Sequence, residues 1–133
     1  MDNKKFKPIK MAFYGTLRQG FDLHRSFQNH LKFISQTDIP GYRLYDLGAY
    51  PYALYTGIER QTIKVELYEV LSEKAFLSIE AIETEAGYKR SSISIAGESF
   101  EIYLFDKIIL GSTEISGGDW TQYYLNTKHN LKG

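Results

Sequence analysis

The chain has 133 residues, 43% hydrophobic and 24% charged, the proportions of one ordinary globular domain. Sixteen basic residues balance sixteen acidic ones, so no global field draws nucleic acid or an anionic membrane to it. There is no cysteine, which excludes disulfides and thiolate metal sites and is compatible with a reducing compartment.

In chain order, the opening "MDNKKFKPIK" is basic but lacks the apolar run of a signal peptide, and no stretch approaches the roughly 20 apolar residues of a membrane span. The expectation is a cytoplasmic protein with a flexible tail over residues 1–8. Ile9 to Tyr14 reads as a strand that runs into the turn "YGTLRQG". Phe21, Leu23, Phe27 and Leu31 recur at spacings of two to four, consistent with a short helix or an irregular segment. Pro40-Gly41 marks a turn between two extended stretches, and "LGAYPYALY" reads as a loop lined with tyrosines. In "QTIKVELYEV" the alternation puts Ile63, Val65 and Leu67 on one face and Lys64, Glu66 and Tyr68 on the other, a half-buried strand.

Ser72 then reads as the N-cap of a helix. Phe76, Ile79 and Ile82 form its apolar stripe, while Glu73, Lys74, Ser78 and Glu80 face water and Gly87 ends it. "RSSISIA" and "SFEIYLF", joined near Gly97-Glu98, predict an antiparallel hairpin. The chain closes with "STEISGGDWTQYY" and a polar, flexible tail over 126–133. Eleven tyrosines and eight phenylalanines favour strands over a helical bundle. The predicted fold is one α+β domain over 1–133, with a small mixed, barrel-like β-sheet, one main helix and short extra helices.

Most catalytic chemistries lack their residues. His24, His30 and His129 show no i, i+4 pairing, so no metal site is expected. No serine sits in a G-x-S-x-G elbow, and "GTLRQG" lacks the lysine of a phosphate-binding loop. Carboxylates remain. Glu83 falls at the border of the helix's apolar stripe, where partial desolvation raises a carboxyl pKa towards neutrality and suits it to acid/base work. The same position equally suits a helix-end ion pair with Lys89 or Arg90. The "YGTL" turn has two readings as well: an ordinary strand end, or a ring of backbone N–H groups that can cradle an anion.

"YGTLRQG", "LYDLGAYP", "VELYEV", "IEAIETEAGYKR" and "ISGGDW" occur in the order seen in the γ-glutamylcyclotransferase-like family, which includes γ-glutamylamine cyclotransferases and AIG2-like proteins. The likeness covers roughly residues 11 to 124. This resemblance implies that Tyr14, Gly15, Thr16 and Leu17 hold the γ-glutamyl group of a small-molecule substrate. It also implies that Glu83 is the general acid/base, with Glu85 as the rival position. Tyr88 and Arg90 resemble the family's Y-x-R and would order the helix exit. The implied reaction closes a γ-glutamyl amine or peptide to 5-oxoproline and releases the amine, with no cofactor or metal. Val65 and Tyr52 stand where relatives often carry glycine, and Tyr50, Tyr52 and Tyr55 are candidate pocket walls. The alternative is a non-catalytic small-ligand-binding module on the same fold; zero net charge counts against nucleic acid. The released amine and the oligomeric state stay open. Catalysis requires the 14–17 turn and Glu83, distant in the chain, to meet in one cavity.

Overall fold

Apolar alternation in the strands builds two sheets in the computed structural model, which describes residues 6–128. His129 and the outer parts of both expected tails lie outside the described residues. The larger sheet contains β1 (Ile9–Phe13), β2 (Leu31–Pro40), β5 (Thr62–Val70), β6 (Lys89–Ile95) and β7 (Glu98–Leu104), in the order β2-β5-β1-β7-β6. Its pairings are antiparallel except that β1 runs parallel to β7. The smaller sheet, β4-β3-β8, contains β3 (Tyr42–Asp46), β4 (Pro51–Tyr55) and β8 (Thr113–Glu114). Three α-helices, α1 (Asp22–Phe27), α2 (Glu73–Glu85) and α3 (Trp120–Thr127), and one 3-10 turn, Gln28–His30, complete the described residues. None of them is long and apolar enough to cross a membrane.

The fold is thus mixed α+β. The two sheets meet where Leu54 bridges Phe105, with the Phe105 N–H donating to Ala53 O at 3.1 Å, but they do not close a barrel. The stretch read as a tyrosine loop contains a strand, β4, because Tyr52 and Ala53 are wholly buried between neighbours. The stretch read as running into a polar tail contains α3, whose cap is Asp119 accepting from Gln122 N at 3.3 Å and whose anchor is the fully buried Trp120.

Strand β5 lies between β2 and β1 in the larger sheet. Ile63, Val65 and Leu67 are buried as its alternation demands, but Glu66 and Tyr68 on the opposite face are buried too. That second face is covered by the turn after β1 and by α1. Helix α2 begins where its cap predicts, the Ser72 hydroxyl accepting from Ala75 N at 3.1 Å, and ends at Gly87 with φ +102°. Its buried stripe is narrower than the spacing suggests. Ala75 and Ile79 are buried, whereas Ile82 keeps 39% of its surface exposed. The β6–β7 hairpin turns through Ala96 and Gly97, both at positive φ, as a two-residue turn between right-twisted strands requires.

Candidate active site

At the end of β1 the backbone reverses through a short turn, with Arg18 N donating to Gly15 O at 3.0 Å. Gly15 has no room for a side chain: a Cβ there would lie 2.9 Å from Pro51 Cγ, so its smallness serves the packing of β4 against the turn. Arg18, 3% exposed, locks the turn from beneath. Its Nε donates to Glu66 Oε2 at 3.0 Å and its Nη1 to Asp119 Oδ1 at 2.8 Å. The second Glu66 oxygen accepts from Gln19 N and from the Tyr68 hydroxyl, each at 2.9 Å. Buried charge is tolerated here because both Glu66 oxygens and two guanidinium nitrogens find partners. On the other side, His24 Nδ1–H donates to Leu17 O at 2.8 Å, which fixes the ring's tautomer and the turn's last carbonyl. Among the described residues, nothing accepts from the N–H groups of Gly15, Thr16 or Leu17.

These three residues and Glu83 line one pocket of about 80 Å³. Tyr14, Tyr88 and Tyr103 form much of its buried wall, and their hydroxyls are spent on the frame. Tyr14 donates to Tyr103 O at 2.5 Å and accepts from Ala53 N at 3.1 Å; Tyr88 donates to Pro51 O; Tyr103 donates to Glu80 Oε1 at 2.6 Å. Burial raises the pKa of all three, and the nearby Glu83 charge raises it further, so they remain neutral phenols and serve as walls.

Glu83 is different. Its carboxyl is half-buried, and desolvation pushes its pKa up from 4.5 to about 7. Neither expected cation pairs with it. Lys89 binds Asp106 at 2.7 Å, and Arg90 binds Glu80 at 3.1 Å and Glu101 at 2.6 Å, so among the described residues the Glu83 carboxyl has no ion-pair or hydrogen-bond partner. Glu85 is exposed and outside the pocket. The pocket is therefore lined both by a carboxyl poised near neutral pH and by a turn whose N–H groups are uncommitted among the described residues, a combination suited to moving a proton and to holding a negative oxygen.

Two expected pocket features lie elsewhere. Tyr52 is buried between Tyr45 and Phe105, ring centroids 5.1 and 4.6 Å away, and its hydroxyl accepts from Ile109 N at 2.9 Å. Val65 is core, and Tyr55 is 67% exposed on the far side of β4. Only Tyr50 of the three candidate tyrosines lines the pocket. Sequence reading passed over Arg18, Glu66, Asp119 and His24. The first three each sit inside a motif that resembles the family, and a charged residue in an otherwise apolar motif was the signal available. Among the described residues no cluster of three histidines or carboxylates suited to a metal ion occurs.

Comparison with known proteins extends this picture. The family model described as "Gamma-glutamyl cyclotransferase, AIG2-like" matches residues 11–122. A Vibrio cholerae protein named "Putative gamma-glutamylcyclotransferase" is 33% identical over 111 residues, 82% of this chain and 92% of its own. A Pyrococcus horikoshii protein of similar name is 37% identical over 90 residues, 68% of this chain and 72% of its own. The crystal structure of the Pyrococcus protein superimposes with a TM-score of 0.75 at 31% identity, covering 91% of this chain and 97% of that one. An AIG2-like protein from Mus musculus shares the fold at 20% identity, with a TM-score of 0.65 over 79% of this chain and 82% of its own.

Proposed function

Because the chain belongs to the γ-glutamyl cyclotransferase, AIG2-like family, we propose that it converts a γ-glutamyl amine or peptide to 5-oxoproline and the free amine, with Glu83 as general acid/base. The observation that carries this reading is the sharing of one pocket by the unpaired Glu83 carboxyl and the Gly15–Leu17 turn. The chemistry follows from the substrate. An α-ammonium is not a nucleophile, and an amide nitrogen leaves poorly until protonated. Ionised Glu83 takes the ammonium proton, and the freed amine attacks the side-chain carbonyl four carbons along the same molecule. The five-membered ring closes as the carbonyl oxygen gains negative charge, and the turn N–H groups stabilise it. Protonated Glu83 then delivers its proton to the departing nitrogen and the C–N bond breaks; the second proton of the ring nitrogen passes by way of the Glu83 carboxylate to the freed amine, which leaves as an ammonium ion, so the lactam is neutral and the carboxylate returns to its starting state. Atoms and charge balance within substrate and glutamate. A carboxyl with pKa about 7 suits both halves of the cycle, since it gives up and regains a proton at similar cost.

The test is a panel of γ-glutamyl amides and dipeptides assayed for 5-oxoproline. The wild-type protein is expected to form it, and Glu83→Gln to lose about 10²–10⁴-fold in rate. Binding of the panel with no product from the wild type would instead make this a ligand-binding module. Full activity in Glu83→Gln would remove the glutamate from the mechanism.

A further inference from the structure

The mouth of the pocket bears on what the departing amine carries. The pocket, about 80 Å³, is well below the roughly 300–1,000 Å³ of sites that enclose drug-sized ligands, so it accommodates a glutamyl end and little more. Whatever is attached to the scissile nitrogen lies against the mouth. The buried wall is Tyr14, Tyr88 and Tyr103, whereas solvent contact is retained by Gly15, Thr16 and Glu83 of the reacting end and, around them, by Leu23, Tyr50, Ile82 and Ala86. The last four present apolar or aromatic surface. Ile82 is the clearest case, an aliphatic side chain 39% exposed beside the candidate catalytic carboxyl. An exposed apolar group at the rim of a site has a ready role as a contact for ligand.

On the elements that build the mouth, the arginines and the lysine that follows α2 are committed elsewhere, and Lys74 stands at the opposite end of α2 from Ile82. On α1, Arg25 pairs with Asp22 and donates to Gly20 O at 3.1 Å. Below the turn, Arg18 is buried with Glu66 and Asp119. After α2, Lys89 is held by Asp106 and Arg90 by Glu80 and Glu101. A leaving group that ends in a carboxylate, as every γ-glutamyl amino acid or peptide does, would set its charge against Ile82 and Leu23 and near the Glu83 carboxylate, with like-charge repulsion added to desolvation.

Resting on the cyclisation read above, we propose that the released amine carries an uncharged apolar substituent, and that Leu23, Tyr50 and Ile82 are the specificity-determining residues that bind it. The decisive comparison is kcat/KM, read as 5-oxoproline, across γ-glutamyl methylamide, propylamide, pentylamide and benzylamide, with γ-glutamylglycine and γ-glutamylalanine as carboxylate counterparts. The expected pattern is a rise of roughly fourfold per methylene while contact with the mouth lasts. The carboxylate compounds should fall at least about tenfold below the propylamide, since an unpaired charge at an apolar rim is disfavoured. Ile82→Lys should narrow or reverse that gap, by weakening the alkyl series and strengthening γ-glutamylalanine.

A second arm keeps this inference separable from the reaction: calorimetric affinities of the same series for folded Glu83→Gln protein. Turnover with a flat series, or with γ-glutamylalanine equal to the propylamide, overturns the apolar mouth and leaves the cyclisation standing. No turnover, with affinity climbing along the alkyl series, overturns the cyclisation and leaves the mouth. Neither turnover nor graded affinity overturns both.

Discussion

Replacing Glu83 by glutamine should stabilise the protein at alkaline pH, and the size of the gain can be worked from the pocket. Folding moves this carboxyl's pKa from 4.5 to about 7 because its charge loses water and gains no partner. At about 1.36 kcal/mol for each factor of ten in proton affinity, that corresponds to roughly 3 kcal/mol against the folded state once the group is ionised. The pocket is open to water, which screens the charge, so about 1–2 kcal/mol is the realistic figure. The sign depends on pH. Below about pH 4.5 the group is protonated whether folded or unfolded, and the substitution should change little. Between 4.5 and 7 the folded state holds a proton that the unfolded chain has lost, so wild-type stability falls as pH rises. Above 7 the whole penalty is present. Urea unfolding of both proteins at pH 4 and pH 8 should therefore give equal midpoints at the lower pH and a higher midpoint for Glu83→Gln at the higher one. A variant equal to or weaker than wild type at pH 8 would refute the claim that this carboxyl is desolvated and unpaired.

Three further outcomes follow from the same frame. The kcat/KM of the wild type should rise with pH through about 7 as Glu83 ionises, and a profile flat from pH 5 to 9 would assign the base elsewhere. Arg18→Met strands Glu66 in the interior without its cation and should cost about 3–5 kcal/mol in urea unfolding, part of it recovered when Glu66→Met is added; a loss under about 1 kcal/mol would mean that water reaches the pair. Gly15→Ala drives a methyl into Pro51 and should cost about 1–3 kcal/mol while raising KM through the displaced turn, and unchanged KM would show that the turn absorbs the shift without moving the pocket wall.

Local signals in the sequence carried the local structure well. Ser72 and Gly87 bracket α2 because capping depends on side-chain and backbone chemistry within a few residues. The β6–β7 hairpin was legible for the same reason. The failures come where distant segments decide. Glu66 alternates onto a face that would be solvated were the strand alone, but a guanidinium 48 positions earlier in the chain covers it. Tyr52 stands next to Pro51 in a stretch rich in turn formers, and only its stacking between Tyr45 and Phe105 shows it to be core. Ile82 follows the spacing of a buried stripe and yet opens onto the pocket, because α2 packs by Ala75 and Ile79 while its last turn lines the cavity. The convergence of the 14–17 turn and Glu83 on one cavity is a property of the tertiary fold, and it reached the sequence reading only through family resemblance.

The Arg18 clamp has a consequence for biosynthesis. Its two carboxylates both lie downstream in the chain, Glu66 on β5 by 48 positions and Asp119 at the cap of α3 by 101. A nascent polypeptide halted before Asp119 would already own every wall of the cavity, but its guanidinium would have only one of its two carboxylate partners. Completion of the binding cradle thus waits until Asp119, downstream of every residue that lines the cavity, has left the ribosome.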